Sequence, residues 1–222
     1  MSAPPPGARD TVILVHGLGR TPLSMWPLAR HLARAGYSVV SWGYPSRRLS
    51  IAAIAARLRA ELDRRLAECR GRVHLVTHSL GGIVARAALA GRASPDLGRV
   101  VMLGPPNRGS ELVDRLRALA GFRLVAGVAG LELGTDPAST PNRLGPVAFE
   151  CGVIVGARPI DPFLSRLIPG DNDGKVSVER ARVDGMRDFL VVPHGHTFIM
   201  WSAAVARQVA HFLETGRFRR EA

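Results

Sequence analysis

A chain of 222 residues that is 46% hydrophobic can bury one substantial core, so a single domain spanning 1–222 is the expectation. It has no run of about 18 uninterrupted apolar residues, which excludes a transmembrane helix. Its net charge of +12 comes from 30 basic residues, of which only Lys175 is lysine. They are scattered and carry no zinc-finger or RNP signature, so no nucleic-acid partner is expected, whereas an anionic substrate or membrane surface stays compatible with the charge.

The opening residues Met1-Ser2-Ala3-Pro4-Pro5-Pro6-Gly7 have prolines where a secretion signal needs an apolar stretch. Residues 1–10 therefore read as a flexible lead-in to a cytoplasmic protein. Thr11 to Val15 is a continuous β-branched apolar run, the pattern of a strand buried on both faces, and it stops at His16-Gly17-Leu18-Gly19. Pro22 to Ala35 shows helical spacing through Leu23, Trp26, Leu28 and Leu32, with Gly36 as a stop. Tyr37 to Trp42 is a second strand. Ser50 can cap a helix whose inner face is Ile51, Ile54, Leu58, Leu62 and Leu66.

Arg72 to Thr77 is the third strand, and it runs into Thr77-His78-Ser79-Leu80-Gly81-Gly82. A lone serine between an apolar strand and a glycine-rich helix start has the form of a nucleophile elbow, G-x-S-x-G, with Thr77 at the first glycine position. The helix Leu80 to Ala90 is small and apolar almost all round. Arg99 to Gly104 is a fourth strand, and residues 105–147 form a cap-like insertion with helical pieces at Ser110–Ala120 and Arg123–Leu133. That insertion supplies either an acyl pocket or lid, or the inward sides of helices flanking the sheet. Phe149–Gly156 and Phe189–Val192 are further strands, and Thr197–Thr215 closes the chain as one helix. Alternation over the full length predicts an α/β fold in three layers, a mostly parallel sheet flanked by helices, with ligands beyond the carboxyl ends of the strands. Cys69 and Cys151 fit no metal spacing and are expected as unpaired thiols.

A serine hydroxyl needs a base, and the base needs a partner. Of the seven histidines, His31 and His211 fall in helical patterns, His74 lies inside a strand, and His78 adjoins the serine, pointing away from it. His194 and His196 share a loop before the last helix, and His196, behind Gly195, is favoured. For the acid, Asp173 in the Asp-Gly turn before Val176 is favoured over Asp171, with Asp161 more distant. The same segment fails as a calcium loop, because Arg180 stands where a bidentate glutamate is required. The backbone N–H groups of Leu80 and Leu18 are the expected oxyanion donors. Gly17-Leu18-Gly19 is no dinucleotide fingerprint, since Pro22 occupies the third glycine position. His16, Gly17 and His78 are expected to border the substrate, with His16 also holding its loop.

In these segments, together with Leu103-Gly104-Pro105-Pro106-Asn107-Arg108-Gly109-Ser110, the chain resembles the α/β-hydrolase superfamily, above all its small bacterial lipase and esterase branch. The resemblance implies a minimal α/β-hydrolase fold and a Ser79–His196–Asp173 triad that cleaves carboxylic esters through an acyl-enzyme, with no metal or organic cofactor and a small-molecule or lipid ester as substrate. Thioesterase or amidase chemistry on the same triad, and a noncatalytic binding module on the same fold, are the alternatives.

Overall fold

The computed structural model describes residues 9–92, 97–119, 121–160 and 162–220. Six strands form one sheet: β1 (Thr11–Val15), β2 (Ser38–Trp42), β3 (Val73–His78), β4 (Leu97–Leu103), β5 (Cys151–Gly156) and β6 (Asp188–Val192). Their order is β2-β1-β3-β4-β5-β6, and every neighbouring pair is parallel. The expected mostly parallel sheet is thus wholly parallel.

Alternating side chains divide the core into two layers. Ile13 and Val15 of β1 point to the face covered by α2 (Ile51–Glu68) and α3 (Leu80–Leu89), while Val12 and Leu14 point to the face covered by α1 (Trp26–Arg34) and α8 (Ala203–Thr215). Burial on both faces explains why β1 reads as a continuous apolar run. The helix α3 packs against both α2 and the sheet, and every residue of it except Ala87 is buried. Ser50 caps α2 as expected, its Oγ accepting from the Ala53 N–H.

Several expectations are revised. The closing helix is interrupted: His196–Trp201 forms a 3-10 turn, and α8 begins only at Ala203. Ser202 separates the two because its Oγ accepts from the Val205 N–H, which starts a new helix there. In the insertion, α4 (Glu111–Leu116) and α5 (Phe122–Leu131) are shorter than expected, and α5 kinks at Gly127 (φ 62°). The four-residue helices α6 (Thr140–Arg143) and α7 (Pro162–Ser165) show no periodic signal. Of the expected lead-in, residues 1–8 lie outside the described residues, but Asp10 is anchored. Its carboxylate accepts from the Arg72 N–H at 2.8 Å and from His74 Nε2 at 3.2 Å, tying it to the start of β3. Both cysteines are free thiols, and burial pushes Cys151 up to about 12. Among the described residues no helix is long and apolar enough to cross a membrane.

In a sheet of this order the chain steps one way from β1 to β2 and the other way from β3 onward, leaving a crevice beyond the carboxyl ends of β1 and β3. Gly17, Leu18 and Ser79 all lie at that crevice.

Candidate active site

Ser79 occupies the single position between β3 and α3 and has φ 53° and ψ −122°. Among the described residues it is the one non-glycine with positive φ, a conformation costing of order 1–3 kcal/mol. Two backbone hydrogen bonds hold it there, Ser79 N–H to Leu103 O and Gly82 N–H to Ser79 O, both 2.9 Å. The glycines make room. A Cβ at Gly81 would stand 2.6 Å from the Val15 carbonyl oxygen, so only glycine lets α3 pass this close to β1. A Cβ at Gly82 would meet Pro105 at 2.9 Å and Thr77 Oγ1 at 3.5 Å. The threonine at the elbow is therefore accommodated by the helix beyond it, with its buried hydroxyl left without a hydrogen-bond partner.

His196 Nε2 lies 2.9 Å from Ser79 Oγ, and His196 Nδ1 lies 2.7 Å from Asp173 Oδ2. Both distances are within reach for proton transfer and orientation. In the neutral ring Nδ1–H donates to the carboxylate, leaving Nε2 to accept from the serine hydroxyl. Asp173 is buried and fixed at its other oxygen, where Oδ1 accepts from the N–H groups of Lys175 (3.0 Å) and Val176 (2.8 Å). The His196 N–H also donates to Asp173 O at 2.9 Å. Gly104 at the end of β4 (φ 54°) leaves the pair its space, since a Cβ there would lie 3.0 Å from both Asp173 Oδ2 and His196 Nδ1. The structure does not bring His194 or Asp171 to the serine. His194 Nε2 pairs instead with Ser202 Oγ at 2.9 Å, and Asp171 is exposed. Asp161 lies outside the described residues.

Next to the serine is a cavity of about 330 Å³, at the small end of the range typical of ligand pockets. Leu112, Val113, Phe122, Val125, Ala126 and Leu133 form its apolar wall, so α4 and α5 overlie the crevice rather than simply flank the sheet. Leu18 borders the same cavity. Among the described residues neither the Leu18 nor the Leu80 N–H has a hydrogen-bonded partner, and the latter opens α3.

The residues expected to border the substrate divide. His78 does border the cavity, but its Nε2–H donates to the His196 carbonyl at 3.0 Å. Burial and the nearby His196 ring hold His78 well below the ordinary 6.5, so it is neutral. His16 and Gly17 do not line the cavity, although Gly17 adjoins Ser79, where a Cβ on it would lie 3.2 Å from the serine Cβ. His16 stacks on Tyr44 at 4.2 Å, its Nδ1–H donates to Gly17 O, and its own carbonyl accepts from the Tyr44 hydroxyl at 2.5 Å. Gly17 is a spacer, because a Cβ there would lie 2.8 Å from His78 Nδ1.

Comparison with known proteins identifies the family and the fold. The alpha/beta hydrolase family matches residues 12–217. The chain belongs to that family. No curated protein matches it by sequence. Among solved structures it is similar to the mature form of the Bacillus licheniformis lipase BlEst2, with TM-score 0.74, 20% identity, and 97% of this chain and 95% of that one covered. It is also similar to phospholipase PlaB from Legionella pneumophila, with TM-score 0.76, 17% identity, and coverage of 94% and 60%. A Pyrococcus furiosus esterase gives TM-score 0.66 at 19% identity, with coverage of 94% and 82%.

Beyond the triad, other side chains of this α/β hydrolase shape the site. Asn172 organises the loop bearing Asp173, with Oδ1 accepting from the Gly174 N–H (3.0 Å) and from Ser165 Oγ (3.0 Å), and Nδ2 donating to Gly170 O (2.9 Å). Ser46 accepts from the Gly19 N–H at 2.9 Å and so fixes the loop that holds Leu18. Arg20, Arg47 and Lys175 border the cavity. One signal did exist for the last of these, as Lys175 is the single lysine among 30 basic residues.

Proposed function

We propose that this α/β hydrolase is a serine hydrolase that cleaves carboxylic esters by acyl transfer. The observation that carries the reading is the unbroken chain of hydrogen bonds from Asp173 through His196 to Ser79 at the mouth of an apolar cavity. As the Ser79 oxygen bonds to the ester carbon, its proton passes to His196 Nε2, and Asp173 stabilises the resulting imidazolium. The carbonyl oxygen takes up negative charge facing the Leu18 and Leu80 N–H groups. Collapse breaks the C–O bond, and His196 returns the proton to the departing alcohol. Water, deprotonated by the same imidazole, then attacks the acyl-enzyme and releases the carboxylic acid and free Ser79.

The lipase and esterase names of the similar structures support an ester substrate, and the small apolar cavity favours short to medium acyl chains. Residues 105–147 act as a cap over the serine. Hydrolysis of p-nitrophenyl esters of increasing acyl length tests the reading. Wild type is expected to turn over short and medium esters with simple saturation, and Ser79→Ala to lose about 10³-fold or more. Equal rates in wild type and Ser79→Ala would overturn it.

A further inference from the structure

The cavity beside Ser79 is apolar on the side of α4 and α5 and cationic on the other, where Arg20, Arg47 and Lys175 meet from three separate loops. The backbone that carries each is held in place. The Arg20 N–H donates to Gly17 O at 3.2 Å, closing the turn that carries Leu18. The Arg47 guanidinium lies against Gly19, where a Cβ would be 2.8 Å from Nη2, and the Arg47 carbonyl accepts from the Val128 N–H at 3.0 Å. Lys175 has its N–H on Asp173 Oδ1 and its carbonyl on Ser110 Oγ at 2.8 Å. Some arginines of this chain are paired with acids, as in Arg99–Glu150, Arg180–Glu111 and Arg220–Asp188, and others are not. Among the described residues none of the three forms an ion pair, and no Asp or Glu borders the cavity. Lys175 is exposed as a residue, but desolvation of its ammonium and the neighbouring Arg20 charge hold it below the ordinary lysine range, with the Asp173 carboxylate acting against them. Basic side chains gathered with no ion pair of their own beside a reactive serine are a site arranged for an anion.

We propose that the pocket takes esters whose alcohol carries a phosphate group, with the acyl chain against the α4–α5 wall and the phosphate on Arg20, Arg47 and Lys175. Two guanidinium groups and an ammonium suit a group with about −1.5 to −2 charge and three acceptor oxygens. The net charge of +12 draws such a substrate in from a distance. The phosphate is a spectator, since the bond broken is the carboxylic ester C–O bond. This inference rests on the ester-hydrolase reading above.

The test compares hexanoyl-glycerol phosphate with neutral hexanoyl-glycerol, both as monomers in solution. Wild type is expected to prefer the phosphate ester in kcat/KM by about tenfold or more, the size of one charge-assisted contact, and less as salt rises. Arg20→Gln and Lys175→Gln should each cut the ratio several-fold, whereas Arg57→Gln on the exposed side of α2, which removes the same charge elsewhere, should leave it unchanged. A wild-type ratio near one, or one lowered equally by Arg57→Gln, would overturn the phosphate site while leaving the hydrolase reading intact. Calorimetry on Ser79→Ala with the same two esters needs no turnover. Tighter binding of the phosphate ester supports the site even if wild type hydrolyses neither compound, and that second result would overturn only the hydrolase reading. Vesicles of phosphatidic acid, a phosphate monoester like the soluble probe, identify the source. Faster cleavage on vesicles with the same Arg20 dependence points to a lipid headgroup, and no gain points to a soluble ester, both supporting the site. A preference confined to vesicles, with a monomer ratio of one, would overturn it.

Discussion

Ser79 is held in a backbone conformation that a serine resists, and nothing in the fold requires a side chain there. The strain therefore belongs to the chemistry proposed for the hydroxyl. Ser79→Gly should relieve it and raise stability by about 1 kcal/mol, after the larger unfolded-state entropy of glycine is subtracted, while abolishing hydrolysis. A denaturant titration decides this, and an unchanged or lower midpoint would mean that the elbow is not strained. Thr77 makes a related case. Its buried hydroxyl has no partner, so Thr77→Val, of nearly the same shape, should stabilise the fold by about 1 kcal/mol in the same assay. A loss of stability would show that the hydroxyl has a partner in solution. The residues at this elbow were legible in the sequence because the turn demands serine and glycines in a fixed order. The roles of His16 and His78 were less so, since a histidine's neighbours across the fold cannot be read from its position in the chain. Tyr44 and the His196 carbonyl are 28 and 118 residues away from their partners His16 and His78.

At the level of elements, the sheet was readable because strands buried on both faces must be largely apolar, as in β1 and β5, while β3 admits two histidines and a threonine around its apolar centre. Helices with a full turn or more of periodic signal were readable too. What escaped were pieces set by single backbone events: the kink of α5 at Gly127, the break before α8 at Ser202, and helices of four residues. Gly127 is informative here. A Cβ at that position would collide with the Arg47 backbone, so the kink lets α5 dock on the loop after β2. The glycine that seats α3 against β1 makes the sharper prediction. Gly81→Ala would put a methyl against the Val15 and His16 carbonyl oxygens, backbone atoms that cannot turn aside. It should destabilise by about 2 kcal/mol, read as a lower thermal midpoint, and should slow ester hydrolysis with it. Retention of both would mean that the helix can ride higher on the sheet than the structure has it.

The molecule as a whole buries three histidines in a neutral state. His16, His74 and His78 all have pKa values lowered from the ordinary 6.5, chiefly by burial. The unfolded chain takes up protons that the folded chain refuses, so stability is complete above pH 6.5 and is lost as pH falls from there toward the depressed folded values. Each histidine contributes up to about 1.4 kcal/mol per pH unit within its window. The urea midpoint should therefore be clearly lower at pH 5.5 than at pH 7.5 with the slope unchanged, and equal midpoints would contradict the burial. The cavity was the least legible feature, because its walls come from loops after β1, β2, β3 and β4, from α4 and α5, and from the segment around Lys175. Only the folded chain brings these together.

The central claim is that Ser79, activated by His196 and Asp173, is the nucleophile. Mass spectrometry of the protein treated with a fluorophosphonate probe tests it most directly. A single adduct on Ser79 in wild type, largely lost in His196→Ala but retained in His194→Ala, is the predicted result. An unlabelled wild type, or an adduct on another residue, would contradict it.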